Sequence, residues 1–530
     1  MNGIFGAPQN TLEVVDLSAL PVPTLKGVVL VWGPTLLGKH ATPTLVRNWD
    51  EFKREFGGLT TTTDFPFLCK RALDGGAKLI VCRVGHYTDI TDAATLAGTK
   101  ASATAAEAGV GSVVVEAKSV GAGYNGIQVI FTPAKSAKAD HVDLRVKVAG
   151  LEDQFITDIP EVPSVAQKNA LNDMLKHVSL GAITTQLPTS ATATLASGAE
   201  VVANIVDTDY TGDQDAKTGI YAFDAERRAF RIANIARTTY AVDNAMRNYA
   251  ESRKDLRFII VKSVQSKADA EAIQGYLQAT GSHASNTAFN TWYGTAVLCP
   301  NITVSDPDNV GATRSIACFG DVLACIARKD NKETWLSAAQ DNEENDFARI
   351  YNQNGISFDL LSPALKTLWD SLYEEGFNAV GNKETGNVGL EGNRSLFRDR
   401  SKILSKENVA DLVFDIARNF KVIIAEQSFR PNDLPFFRKT FLKLKPHIEA
   451  YQTKGAIYQG KARFFGDQYA KSVDELQVNT KEDLSAGKWK WKFAFAPVPA
   501  TEYIEGFVTP SDLVTIEGIL RGNNQEFNVI

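Results

Sequence analysis

Lys488-Trp-Lys-Trp-Lys-Phe-Ala-Phe495 alternates strictly, with Trp489, Trp491, Phe493 and Phe495 on one side and Lys488, Lys490, Lys492 and Ala494 on the other. Period-two alternation belongs to a strand with one packed face and one wet face. Upstream, Val409, Leu412, Val413, Ile416, Ala417 and Phe420 recur at helical spacing, and the adjoining run Phe420-Lys-Val-Ile-Ile-Ala425 is expected to be a largely buried strand. Pro431 and Pro435 then break the chain. Phe437, Phe441, Leu444 and Ile448 mark a second helical stripe, with a bend expected at Pro446, which cannot make the interior hydrogen bond. Residues 405–507 thus follow the order of a compact α/β unit.

The N-terminal third repeats that style. A strand over 27–32 precedes Asn48, a helix cap with Glu51 three residues on, and Trp49, Phe52 and Phe56 share one helical face. A second helix from Phe67 to Leu73 ends at Gly75-Gly76, before a strand from Leu79 to Val84. Strand, helix and strand predict an α/β layer. Strands at 255–262 and 295–299, a helix at 267–280 and a helical face of Ile316, Phe319, Val322, Leu323 and Ile326 return to it. Between these halves the texture changes. Residues 88–108 and 184–198 are dominated by small residues, and 113–116, 127–131 and 142–148 have the look of short strands. Inserted, solvent-facing β-rich modules are expected there.

A chain of 530 residues is expected to fold as roughly two to four domains. Its 56 basic and 62 acidic residues leave a formal charge of −6, which gives no global drive toward nucleic acid or an anionic membrane. Cys69, Cys82, Cys299, Cys318 and Cys325 are scattered among apolar neighbours without metal-site spacing, as expected of buried thiols in a reducing compartment. The opening Met-Asn-Gly-Ile-Phe-Gly-Ala-Pro lacks the pattern of a signal peptide, and no uncharged apolar run reaches the roughly 18 residues that a membrane span needs.

Several segments imitate catalytic or binding motifs. Gly121-Ala-Gly-Tyr-Asn-Gly126 satisfies the dinucleotide fingerprint formally, but a strand, Ile127-Gln-Val-Ile-Phe131, follows where a helix N-terminus must receive pyrophosphate. A turn between strands is the better reading. Asp207, Asp209, Asp213 and Asp215 lack the glycine and closing glutamate of a calcium loop, so a solvated turn is preferred. His40, His86, His141, His177, His283 and His447 never form a short ligand pair, and no Gly-x-Ser-x-Gly elbow occurs. Nothing here proposes an enzyme, a metal or a cofactor. A basic segment is more informative: Arg438, Lys439, Lys443, Lys445, Lys454, Lys461 and Arg463 stand against a single acidic residue, Glu449. An ordinary solvated helix face accounts for it; a basic face also attracts polyanions, nucleic acid among them, although Tyr451 and Tyr458 come with no recognised RNA- or DNA-binding motif.

Three stretches in order resemble the contractile phage tail sheath protein family. Gly487-Lys-Trp-Lys-Trp-Lys-Phe-Ala-Phe-Ala-Pro-Val-Pro-Ala-Thr-Glu-Tyr-Ile504 resembles the family's C-terminal strand and its Pro-x-x-Pro-like turn, and residues 419–457 are similar to its preceding strand and long helix. Near the start, Lys26-Gly-Val-Val-Leu-Val-Trp-Gly33, Phe52-x-x-x-Phe-Gly-Gly58 and Gly75-Gly-Ala-Lys-Leu-Ile-Val-Cys-Arg-Val84 occur in the family's order.

The resemblance implies a multidomain α/β chain: a mixed-sheet sheath core with an inserted β-rich outer module and extended terminal arms. Its expected parts are an N-terminal linking arm (1–20), the first part of the core (21–85), the inserted outer module or modules (86–235), the central core (236–390), a C-terminal inner domain (391–510) and a C-terminal linking arm (511–530). Leu12, Val14, Val15 and Leu17 of the first arm and Leu513, Val514, Ile516 and Ile519 of the last are the expected strand-exchange residues between subunits. The strand bearing Trp489, Trp491, Phe493 and Phe495 is the expected acceptor, and Arg438, Lys439, Lys443 and Lys445 the expected tube contact. The implied partners are further copies in stacked hexameric rings, a tail tube protein, and baseplate and tail terminator proteins, with no direct nucleic-acid binding and no membrane insertion. The implied place is a contractile virion tail assembled in the host cytoplasm. A static virion structural or receptor-binding adhesin protein, using the outer β-modules, is the alternative.

Overall fold

The computed structural model describes residues 26–136, 138–307, 311–426, 434–465 and 486–501. Along the chain come β1 (Val28–Gly33), β2 (Thr44–Val46), α1 (Trp49–Phe56), α2 (Phe65–Asp74) and β3 (Lys78–Arg83). Then follow β4 (Lys100–Glu107), β5 (Gly111–Val120), β6 (Gln128–Pro133), β7 (His141–Lys147), β8 (Gln154–Pro160), α3 (Val165–Met174), β9 (Val178–Thr184) and β10 (Ala191–Thr194). After them come α4 (Asp207–Thr211), β11 (Arg231–Ala233), α5 (Tyr240–Arg253), β12 (Arg257–Ser263), α6 (Lys267–Ala272), β13 (Gly294–Cys299), β14 (Asn301–Ser305), β15 (Thr313–Ala317) and α7 (Phe319–Lys332). The last are α8 (Lys366–Glu375), β16 (Phe377–Asn382), β17 (Val388–Glu391), α9 (Glu407–Ala425), α10 (Leu434–Thr453), β18 (Ile457–Phe465) and β19 (Lys492–Pro497).

The largest sheet has the order β17-β16-β13-β12-β11-β1-β3-β2. Its inner pairs run parallel, and only β17 and β2, at the two edges, are antiparallel. A parallel sheet must be covered on both faces, which is why its strands are continuous apolar runs. Val29, Val31, Leu79, Val81, Ile259 and Val261 pack on one side with residues of α1, α2 and α7. Val28, Leu30, Trp32, Ile80, Phe258 and Ile260 pack on the other with residues of α5. The α/β layer expected from the sequence is therefore present as a three-layer core. Asn48 caps α1, its side chain accepting from the Glu51 N–H at 2.8 Å, while Glu51 accepts from the Arg47 N–H rather than from Asn48.

Two antiparallel sheets, β4-β5-β9 and β10-β6-β7-β8, enclose a separate buried cluster that includes Val113, Val115, Phe131, Leu144 and Leu180. The segment expected to be β-rich is thus a sandwich with its own core. Among the described residues β8 and β9 are terminal strands of these sheets, and β8 carries an irregular register opposite β7 and a positive φ of 57° at Asp158, an interruption that discourages pairing with another chain.

Three local expectations are corrected. Residues 420–425 are not a strand: α9 continues through them, because Ile416, Phe420 and Ile424 extend the same i, i+4 stripe into one buried cluster. The helix expected over 267–280 stops at Ala272, and the chain turns through Gly275 and Ala279, both at positive φ. Ile316 belongs to β15, so its helical neighbours begin at Phe319.

Candidate functional site

The C-terminal unit is built from α9, α10 and the antiparallel pair β18–β19. Leu412, Ile416, Phe420 and Ile424 of α9 meet Leu444, Ile448 and Tyr451 of α10, and Trp335 joins from the core side. Trp489, Trp491, Phe493 and Phe495 all pack against this cluster. Phe493 lies 5.1 Å and Trp491 6.0 Å from the Phe420 ring, and Trp489 stacks on Phe437 at 6.1 Å. The aromatic side of the alternating stretch is therefore its packed side, while Lys492 and Ala494 are exposed. Regular strand begins only at Lys492, later than the sequence pattern suggests. Pro446 sits inside α10 as expected.

The partner strand β18 had no counterpart in the sequence reading. Its register slips between Ile457 and Ala462, around Gly460 at φ 66°, and this breaks the alternation by which a strand is recognised. Among the described residues β18 and β19 form a sheet by themselves. Each therefore has, among the described residues, an outer edge that no other strand pairs with, the kind of edge to which a strand can be added.

What fixes this unit to the core is a buried ionic cluster that sequence inspection missed. Asp411 of α9, fully buried, accepts from Arg231 of β11 at 2.6 Å, from Lys329 of α7 at 2.5 Å and from Arg257 of β12. Asp330 of α7 accepts from Arg231 at 2.6 Å and pairs with Lys329 at 2.7 Å. Glu407 of α9 stands 3.5 Å from Arg231 and accepts from the Thr295 hydroxyl at 3.1 Å. Three cations meet three carboxylates, so the set is neutral. Burial works against the charge on Arg231, but Asp330 outweighs it and holds the guanidinium above its ordinary pKa. Burial pushes Lys329 down to about 8, and burial with the adjacent Arg231 pushes Arg257 down. The sequence signal was there: Arg231 and Arg257 open apolar strands, and Glu407 and Asp411 sit four apart on one face of a helix whose other residues over this turn are largely apolar. Farther along α9, Arg418 donates to the carbonyls of Arg227, Ala229 and Asp255.

On α10, Arg438, Lys439 and Lys445 are exposed and Lys443 is half-buried. Lys443 pairs with Glu426 at 3.1 Å and Lys445 with Glu449 at 3.6 Å. Exposed Leu442 lies among these cations. The strand-exchange residues Leu12, Val14, Val15, Leu17, Leu513, Val514, Ile516 and Ile519 lie outside the described residues.

The imitation motifs resolve into structural roles. Gly121-Ala-Gly-Tyr-Asn-Gly126 is a turn between β5 and β6, and a Cβ on Gly123 would lie 2.3 Å from the Leu36 carbonyl oxygen. The glycine permits that close approach. Asp207 pairs with Arg237, Asp209 accepts from the N–H groups of Val206 and Tyr87, and Asp213 accepts from those of Asp215 and Ala216. These carboxylates face different partners. Cys69, Cys82, Cys299, Cys318 and Cys325 are buried free thiols, and burial pushes Cys82 and Cys325 up to about 12.

No family profile matches the chain, and no curated protein matches it in sequence. Solved structures do match. The sheath tail protein of Listeria innocua aligns over 89% of this chain and 95% of its own, at 13% identity and a TM-score of 0.58. The sheath tail protein of Desulfitobacterium hafniense aligns over 91% and 99%, at 14% identity and 0.53. The anti-feeding prophage helical sheath in its contracted state aligns over 96% and 100%, at 10% identity and 0.53. The chain has the fold of these sheath tail proteins along most of its length.

Proposed function

We propose that this chain is the structural subunit of a contractile sheath. Copies assemble as stacked hexameric rings around a tube and shift together to a shorter, wider lattice that drives the tube through an envelope. The observation that carries this reading is the β18–β19 pair, a two-stranded sheet among the described residues, on a unit anchored to the core by buried charge. The likeness of fold to sheath tail proteins supports it. Strand addition between chains gives directional hydrogen bonds that survive while the connecting segments bend. In this scheme the arms at 1–20 and 511–530 supply the added strands, with Leu12, Val14, Val15, Leu17, Leu513, Val514, Ile516 and Ile519 as their apolar side. Baseplate and terminator proteins hold the two ends of the array. The sandwich of β4 to β10 lies outward, away from the tube; the insertion expected over 86–235 is shorter than that, since β11 and the residues from Ile205 onward pack in the core. The work of contraction comes from conformational and interface free energy stored on assembly, and the chain acts without catalysis. The setting is a virion tail, assembled in the host cytoplasm.

Electron micrographs of the purified chain test this directly. Hollow helical tubes or ring stacks are expected. A monomer that binds cells or glycans through the sandwich would instead make it an adhesin.

Arg438, Lys439, Lys443 and Lys445 present positive charge on a chain that is acidic overall, so an acidic tube surface is the complementary partner. Replacing Arg438 and Lys439 together by Glu should abolish co-assembly on purified tube while leaving self-assembly and the thermal midpoint unchanged, since both side chains are exposed. Co-sedimentation at two salt concentrations reads this out. Tube binding that is indifferent to both the substitution and the salt would rule the contact out.

A further inference from the structure

Between the sandwich and the eight-stranded core runs a seam unlike either interior. Leu37, with Leu36 packed beside it, is what the core contributes to the sandwich's buried cluster. A cleft of about 250 Å³ opens beside them, lined by Leu36, Leu37 and Gly57 from the core and by Ile127, Val148 and Leu151 from the sandwich. The remaining seam contacts described are polar, and two buried histidines stand at their centre. His40, after β1, has Nδ1 2.7 Å from the Ser119 hydroxyl of β5 and Nε2 3.1 Å from Glu200, on the return linker. Glu200 also pairs with Arg83 at the end of β3. His177, just before β9, donates from Nε2 to the Arg54 carbonyl of α1 at 2.9 Å. Tyr124 lies between them, its ring 6.4 Å from His177 and 5.9 Å from the Arg83 guanidinium, and its hydroxyl donates to the Gly38 carbonyl at 3.0 Å.

We propose that this seam is a pH-dependent joint, closed while His40 and His177 are neutral and loosened when acid protonates them, with the sandwich and the core each staying folded. A neutral ring makes every contact described for both histidines. A carboxylate only accepts, so His40 donates from Nε2 to Glu200 and accepts at Nδ1 from Ser119. A proton added there sets a second cation beside Arg83 inside the protein, with Glu200 as the one carboxylate facing both. For His177 the facing charges are Glu55, Lys176 and Lys118, two of them cations. Burial, helped by Arg83, holds the His40 pKa below its ordinary value, and burial does the same for His177 against the opposing pull of the Arg54 carbonyl and Glu55. The sign follows by linkage. An opened seam hydrates both rings and restores pKa values near about 6.5, so it binds protons that the closed seam refuses. Closure is therefore at full strength above that pH and weakens as pH falls through the lowered values.

Thiol labelling at the seam and hydrogen exchange in the two interiors, on the full chain at pH 7.5 and pH 5.0 and corrected for intrinsic rates, test the joint. Leu37 is buried against the sandwich's cluster, so a thiol reagent should label Leu37→Cys faster at the lower pH, after correction for thiolate fraction, by about tenfold for each pH unit by which the two pKa values are together held down. Interior amides of β7 and β12 should keep their protection. His40→Gln with His177→Gln retains a donor at each position without a titrating ring and should remove the acid response. His177→Gln alone should remove part of it, and serves if the double variant does not fold. Seam rates independent of pH, a full response in the variants, or equal acceleration of β7 and β12 would each overturn the proposal.

Discussion

Asp411→Ala should lower the stability of the α9 anchorage by about 3–5 kcal/mol, the usual cost of removing one partner from a buried ionic set. Three cations share this carboxylate, and truncation leaves Arg231, Arg257 and Lys329 facing only Asp330 and Glu407. A buried charge without its partner cannot recover hydration, so the loss exceeds that of any surface pair. Native-state hydrogen exchange at the α9 amides from Leu412 to Phe420 measures it as a fall in opening free energy. Adding Lys329→Met to Asp411→Ala restores the charge balance. The double variant should therefore be more stable than the sum of the single effects by about 1–3 kcal/mol. A single-variant loss below about 1 kcal/mol would mean that the cluster does not anchor the helix. A neutral buried set of this kind adds little net stability over an apolar packing, but it accepts one geometry. That suits a unit that has to keep its position on the core while neighbouring copies move.

Deleting residues 1–20, or residues 511–530, should abolish assembly into tubes while leaving the fold intact. The reason is geometric. If the arms provide the strands that add to β18 and β19, each deletion removes one set of links between copies without touching the interior of the three-layer core or the sandwich. Sedimentation separates assembled from free chain, and circular dichroism with a thermal scan checks the fold. Unchanged polymerisation by both truncated chains would end the arm-exchange scheme. Loss of the cooperative thermal transition would show instead that the arms belong to their own subunit's core.

Much of the architecture was legible because parallel strands covered on both faces appear as unbroken apolar runs, such as Val28 to Trp32 and Phe258 to Val261. The packed face of Trp489, Trp491, Phe493 and Phe495 was legible from alternation alone. Phe420 to Ala425 was not, since a short apolar run fits a buried strand and a buried helix equally well, and only the i, i+4 continuation from Ile416 to Ile424 distinguishes them. The strand β18 was hidden by its irregular register. The anchoring cluster was hidden for a different reason: its members span positions 231 to 411, and no local spacing reports that the fold will gather them. Arg231 and Arg257 look like ordinary charges at the start of an apolar strand, and Asp411 like a single polar residue within an apolar stretch of helix.

The exchange of chain ends can be seen outright in a cryo-EM map of assembled tubes at a resolution that separates strands. Strands from residues 11–17 and 513–520 of neighbouring copies should flank β18 and β19, with unbroken density crossing between subunits. A map in which both termini of every copy fold back onto their own subunit, and no strand passes to a neighbour, would contradict it.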